Sequence, residues 1–217
     1  MDPAVFSSAS VDIDQHFGYQ VKQIEEKLYR AAKILRPEGD LNNLGQALHQ
    51  GHQTWIGLDP QTLQTPYSEL VQICELLDPK PQDLMVDLGA GYGRLGLVLH
   101  LLYPGVFFKG FELVAERVIE GNRVFNKFNC SNAILFHQNL TSKEMKVPLA
   151  KYYFIYDYGT TADIRGTLKQ LEELTSYHHF QIIARGKGTR SIIEHEHPWL
   201  CTLNPVKHFE NFSIYSF

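Results

Sequence analysis

The sequence predicts an α/β fold: a doubly wound, mostly parallel sheet with an antiparallel C-terminal hairpin and an N-terminal helical extension. Three observations carry this. From Leu84 onward, near-continuous apolar strands alternate with amphipathic helical stretches, the pattern of a parallel sheet covered on both faces. The first strand runs into the glycine-rich turn Gly89-Ala90-Gly91-Tyr92-Gly93 and leaves as a helix. The last two extended runs, 201–210 and 211–217, have no helix between them, which reads as a hairpin at a sheet edge.

In chain order, residues 1–12 are small and polar and are expected to be loose. "QVKQIEEKLYRAAKIL" then places Val21, Ile24, Leu28, Ala31 or Ala32, and Leu35 at helical spacing and stops at Pro37 and Gly39. A second helix is expected within "LNNLGQALHQGH", so residues 14–52 read as a helical appendage before the fold proper. A turn-rich link, "WIGLDPQTLQTP", leads to the helix "YSELVQICELL", with Thr65 as its expected cap and Pro66 at its first position. Strands follow in "LMVDLG", "VFFKGFEL", "NAILFHQ", "YYFIYDYG" and "HHFQIIARG". Helices intervene from about Arg94 to Leu102, over "AERVIEGNRVFNKF" and over "IRGTLKQLEEL". "ARGKGTR" and "IEHEHPWL" read as solvent-facing loops, with Trp199 a candidate for lining an acceptor pocket.

At 217 residues, 44% hydrophobic and 20% charged, the chain has the composition of a globular protein with one main domain. Its net charge of −4 is made of interspersed acids and bases. That balance supports neither a broad nucleic-acid footprint nor anchoring to anionic lipid. No DNA and no membrane partner is expected. The three cysteines are odd in number and far apart, against a disulfide framework or a clustered metal site, so no metal is expected and a reducing, cytoplasmic compartment fits. His195 and His197 in "IEHEHPWL" have no third ligand with a motif around it.

The glycine turn admits two ligands. Gly91, Gly93 and Gly96 form a literal G-x-G-x-x-G, the fingerprint of NAD(P)-dependent oxidoreductases, with Glu112 near the offset of about 20 residues expected of a ribose-binding acid. Asp87, at the end of the first strand, opposes that reading, because a pyrophosphate would be repelled there, whereas an aminocarboxypropyl group would find an acid for its ammonium. In either case the backbone amides of the turn and of the helix N-terminus are expected to meet the ligand. Asn139 after the third strand is a candidate for reading an adenine edge beside Leu140. Asp157 and Tyr158 stand at the carboxyl end of the fourth strand, where an acceptor would meet a bound ligand; Asp157 is a candidate for orienting an amine or hydroxyl and Tyr158 for flanking it.

Together "MVDLGAGYGRLG", "GFEL", "QNL", "FIYDYG" and "HFENFSIYSF" resemble class I S-adenosylmethionine-dependent methyltransferases over residues 84–217. The resemblance implies a Rossmann-like sheet of seven strands whose last is inserted antiparallel, and S-adenosyl-L-methionine as cofactor. It assigns cofactor binding to Asp87, Gly89, Ala90, Gly91, Gly93, Arg94, Glu112, Asn139 and Leu140. "TPYSELVQICELL" resembles the loop and helix of non-SET histone lysine methyltransferases and related small protein lysine methyltransferases, which adds Thr65 and Tyr67 to the cofactor set. Arg94 stands where the histone enzymes carry glutamine, "IYDYG" replaces their paired asparagines, and their basic tail has no counterpart here. The chain is thus divided into a helical segment, 1–60, and a methyltransferase domain, 61–217. A protein side chain such as lysine is the expected acceptor, with a small molecule or RNA as the alternative. Against nucleic acid, no basic patch with interleaved aromatics is present, and no Asn/Asp-Pro-Pro-Tyr motif follows the fourth strand.

Overall fold

Seven strands form one sheet: β1 (Leu84–Leu88), β2 (Phe107–Glu112), β3 (Ala133–His137), β4 (Tyr152–Tyr156), β5 (Gln181–Arg185), β6 (Lys207–His208) and β7 (Phe212–Ser216). They lie in the order β3-β2-β1-β4-β5-β7-β6. β1 to β5 pair in parallel, and β7 is inserted antiparallel between β5 and β6. The computed structural model of the protein describes residues 3–40, 44–202 and 204–217.

Period-two alternation of buried side chains divides the sheet between two cores. Met85, Phe108, Tyr152, Phe154, Ile183, Phe212 and Ile214 face one side, with α5 (Tyr67–Leu77), α6 (Arg94–Leu102) and α7 (Ala115–Lys127). Val86, Leu88, Tyr153, Ile155, Ile182, Ala184 and Tyr215 face the other, against α8 (Thr161–Leu174) and α9 (Lys187–Glu196). Strands buried on both faces have no polar side to show, which is why they read as apolar runs. No helix among the described residues is long and apolar enough to cross a membrane.

Several expectations are corrected. The stretch expected to be loose is helical from Pro3, as α1 (Pro3–Phe17); Met1 and Asp2 lie outside the described residues. Its residues are ordinary helix formers at best, and tertiary contact supplies the rest, since Ile13 and Phe17 pack on the first core. α2 (Val21–Leu35) forms as predicted, and the next predicted helix survives as α3 (Leu44–Leu48), with residues 41–43 outside the described residues. Within the turn-rich link a short α4 (Pro60–Leu63) forms, capped by Asp59. α5 begins at Tyr67 with Pro66 in the cap position, and the Thr65 side chain makes no capping bond. "KGTRSIIEHE" is α9, not a loop. Trp199 packs in the second core, edge-on to Phe180 and Phe217, away from the site described below. Of the C-terminal run 201–210 only Lys207–His208 is strand, and Leu203 lies outside the described residues.

The segment before residue 60 is stitched to the sheet domain, not appended to it. Asp14 of α1 accepts from Arg94 at the start of α6, with both side chains nearly solvent-free, and also from the Tyr67 hydroxyl at 2.9 Å. Glu25 of α2 accepts from Arg117 of α7 (2.8 Å) and from the Tyr92 hydroxyl (2.8 Å). The Gln20 amide donates to Glu120 of α7. Removing one partner of a buried pair leaves an uncompensated charge, at a cost of about 3–5 kcal/mol. Asp14→Ala is therefore expected to lower unfolding stability by about that amount in urea titrations, and a loss under about 1 kcal/mol, the range of a surface pair, would contradict the assignment.

Candidate functional site

The chain leaves β1 for β2 and β3 on one side and returns to β4 on the other, so the loops after β1 and β4 diverge and open a crevice at the carboxyl ends of the strands. The glycine turn lies there. Gly89 has φ +92°, and a Cβ on it would lie 2.1 Å from Cβ of Tyr158, so only glycine lets the β4 end close over the turn.

A cleft of about 280 Å³ occupies this crevice, and a smaller pocket of about 40 Å³ adjoins it, the two sharing Leu63, Gln64, Gly89, Gly91 and Tyr156. The larger is lined by Glu112, Asn139, Leu140, Asp157 and Tyr158 among the sequence candidates, and the smaller by Thr65, Asp87, Ala90 and Arg94. Tyr67 and Gly93 line neither. The Tyr67 hydroxyl is turned to Asp14, and Gly93 serves packing, since a Cβ there would press on Phe125 at 2.8 Å.

Four amides of the turn, those of Gly89, Ala90, Gly91 and Gly93, are already engaged within the chain. Gly89 and Ala90 donate to the Phe111 carbonyl at 2.9 and 3.0 Å, and Gly91 to Glu112 Oε2 at 2.9 Å. Arg94, although on the wall of the small pocket, has its guanidinium engaged by Asp14, by the Thr65 carbonyl (3.3 Å) and by Gln61 Oε1 (2.8 Å), and it lies over the Tyr67 ring.

Asp87 is the opposite case. Its carboxyl is buried and has no hydrogen-bonding or ion-pair partner among the described residues. Burial, with the charge of Glu112 as a second cause, pushes its pKa up to about 8. Glu112 accepts from Gly91 N–H on one oxygen and from Val114 N–H (2.8 Å) on the other, while Arg117 Nη1 stands 3.7 Å away. Each of its oxygens keeps a second lone pair for a ligand.

At the adenine-side candidate, Asn139 Oδ1 accepts from the Thr141 amide and hydroxyl, and Nδ2 donates to His52 Nε2 at 3.0 Å. Its amide thus clasps a strap formed by residues 52–64, which the sequence showed only as a link. Trp55 in that strap donates to the Asp157 carbonyl at 3.0 Å, and Tyr156 donates to the Thr62 carbonyl at 2.7 Å. The signal in the sequence was a tryptophan within a turn-rich stretch, held here at φ +55°.

The Asp157 carboxylate accepts from the Thr189 amide (2.8 Å) and hydroxyl (2.7 Å) and from the Gly188 amide (3.3 Å), so it caps α9. Tyr158 directs its hydroxyl to Thr167 and to the Asp163 carbonyl, and burial raises its pKa. Among the described residues no group of three or more His, Cys, Asp or Glu side chains is placed to hold a metal ion.

No protein-family model and no curated protein sequence matches the chain. Solved structures do. An RNA methyltransferase from Salinibacter ruber in complex with S-adenosyl-L-homocysteine superposes with a TM-score of 0.51 at 16% identity, over 71% of this chain and 92% of its own. The C-terminal domain of precorrin-6Y C5,15-methyltransferase from Rhodobacter capsulatus gives 0.51 at 14% identity, over 70% and 89%. TrmN from Thermus thermophilus gives 0.52 at 12%, over 70% and 48%. The fold is that of the Rossmann-like methyltransferases. At these identities the likeness speaks for the architecture, and the site must speak for the chemistry.

An unfolded aspartate loses its proton near pH 4, whereas Asp87 in the folded chain keeps it to about pH 8. Between those values the folded state binds the extra proton, so stability falls as pH rises from about 4 to about 8 and then levels off. Asp87→Asn removes the charge that must be buried. It is expected to raise the ligand-free melting temperature at pH 8, by the equivalent of roughly 1–3 kcal/mol. The gain should vanish near pH 4; a destabilised variant at pH 8 would show that Asp87 has a partner in the free protein.

Proposed function

We propose that the chain is an S-adenosyl-L-methionine-dependent methyltransferase acting on an amine, such as the lysine of a protein side chain. The observation that carries the cofactor half of this reading is the unpartnered, buried Asp87 carboxyl on the small pocket, continuous with a larger cleft that contains Glu112. The residues fit the group. Asp87 would take the ammonium of the methionine tail, Glu112 the ribose hydroxyls, and Leu140 the apolar flank of the base.

Bound there, the cofactor supplies a methyl carbon made electrophilic by its sulfonium. The chain's own part is alignment. Leu63, Gln64, Gly89, Gly91 and Tyr156 mark the seam between the two pockets, and Tyr156 is fixed from both sides, by its bond to Thr62 and by the Arg185 guanidinium, 4.1 Å from its ring centroid. Asp157 acts here as a positioning residue: its carboxylate sets α9 and its carbonyl holds Trp55. Tyr158 contributes its ring to the wall.

The charge of the cleft supports an amine acceptor. Its lining carries Glu25, Glu112, Asp157 and Asp163 against one cation, Arg117, which is paired to Glu25. The RNA and precorrin enzymes of similar fold keep RNA and small-molecule acceptors as the second reading, but an RNA strand needs a basic track, and this lining is acidic. A dinucleotide is disfavoured further, because its pyrophosphate brings no ammonium for Asp87 and would find the Gly89, Ala90 and Gly91 amides already taken. Gly96 is explained by packing, since a Cβ there would meet Phe108 at 2.5 Å. The segment 1–60 covers the cleft that 61–217 builds. Three unpaired cysteines agree with the cytoplasm as the site of action.

Calorimetry is expected to show S-adenosylhomocysteine binding and no NAD binding, with Glu112→Ala losing roughly 1.5–3 kcal/mol of affinity. NAD binding in preference would overturn the cofactor assignment. Incubation with methyl-labelled cofactor and fractionated lysate is expected to leave label that protease releases; label confined to RNA or to small molecules would replace the amine acceptor.

A further inference from the structure

Gln64 closes α4 at the seam of the two pockets and lines both. Its backbone is fixed, the amide donating to the Pro60 carbonyl at 3.1 Å. Its side chain is not. Neither atom of the carboxamide has a hydrogen-bond partner among the described residues, and Nε2 is shut off from solvent. A buried donor without an acceptor is costly, and native proteins rarely leave one unless a ligand completes it.

The small pocket therefore presents two unsatisfied groups of opposite character, the Asp87 carboxyl and the Gln64 amide. An α-amino acid end carries the complementary pair, an ammonium that needs an acceptor and a carboxylate that needs a donor. Arginine would be the ordinary choice for the carboxylate, but Arg94, the one cation among the described residues of this pocket's wall, is neutralised by Asp14 and committed through four of its five N–H groups to Asp14, Gln61 and the Thr65 carbonyl. An uncharged amide is left for the task.

We propose that Gln64 recognises the carboxylate of the cofactor's aminocarboxypropyl tail by donating Nε2–H to it, opposite Asp87 at the ammonium. The assignment rests on the cofactor reading above and makes Gln64 a specificity residue: it selects a tail with a carboxylate over one that ends in an amine alone. It also explains the position of the strap, since residues 52–64 deliver Gln64 to the seam.

Three ligands separate the roles: S-adenosylhomocysteine, its decarboxylated analogue, which keeps the amine, and methylthioadenosine, which lacks the tail. Dissociation constants for the folded full chain are measured by calorimetry. Wild type is expected to prefer S-adenosylhomocysteine to the decarboxylated analogue by about tenfold or more, the worth of a hydrogen bond to a charged group. Gln64→Met should abolish that preference and leave the other two affinities unchanged. Gln64→Glu, which sets a carboxylate against a carboxylate, should reverse it in favour of the decarboxylated analogue. Equal losses for all three ligands, or no loss for any, would overturn the role of Gln64 and assign it to packing of the strap. Failure of wild type to bind any of the three would instead overturn the cofactor reading, so the two failures are distinguishable. Melting temperatures of the ligand-free variants confirm folding, and either variant alone carries the comparison.

Discussion

The buried pair between Asp14 and Arg94 is the constraint on which the rest depends. Arg94 is the first residue of the helix that leaves the glycine turn, so whatever grips it is placed relative to the floor of the cleft. Its guanidinium gathers α1 through Asp14, α4 through Gln61, the following loop through the Thr65 carbonyl and α5 through the Tyr67 ring. Desolvating two charges makes such a pair a weak source of net stability, but each alternative packing would strand one of them. We regard it as the element that fixes the register of the cover over the turn.

The cleft divides its charges by use. Arg117 has Glu25 and Glu112 beside it, Arg94 has Asp14, and Asp157 has the amide ends of α9. Asp87 has nothing. Leaving one carboxyl dry destabilises the free protein, a cost of the kind that functional sites retain because a ligand removes it. The glycine turn serves this arrangement through close packing: its amides donate to the Phe111 carbonyl and to the Glu112 carboxylate, which holds the Glu112 side chain at the end of β2.

Much of this was legible in the sequence where local pattern decides the outcome. The strands β1, β4 and β5 announce themselves because both faces are buried, and Asp87 and Glu112 are recognisable as acids that end apolar strands beside glycines. The antiparallel hairpin followed from two extended runs without a helix between them, and the inserted order of β7 only from the family resemblance. What stayed hidden depends on contacts between distant residues. α1 is a run of small and polar residues whose helix is fixed by Asp14 meeting Arg94. α9 begins in glycines and bases and is capped by Asp157 from the far side of β5. Asn139 and Arg94 line the pockets, but their partners, His52, Asp14 and Gln61, lie in segments with no periodic signal. The strap and Gln64 were missed for the same reason.

The account turns on Asp87 being protonated in the free protein and ionised against an ammonium in the complex. Calorimetry of S-adenosylhomocysteine binding at pH 7, repeated in buffers of different ionisation enthalpy, counts the protons exchanged. The account predicts release of close to one proton per ligand at pH 7, fading as pH rises past about 8 and absent in Asp87→Asn. Binding without proton release at pH 7, or with the same release in Asp87→Asn, would contradict it.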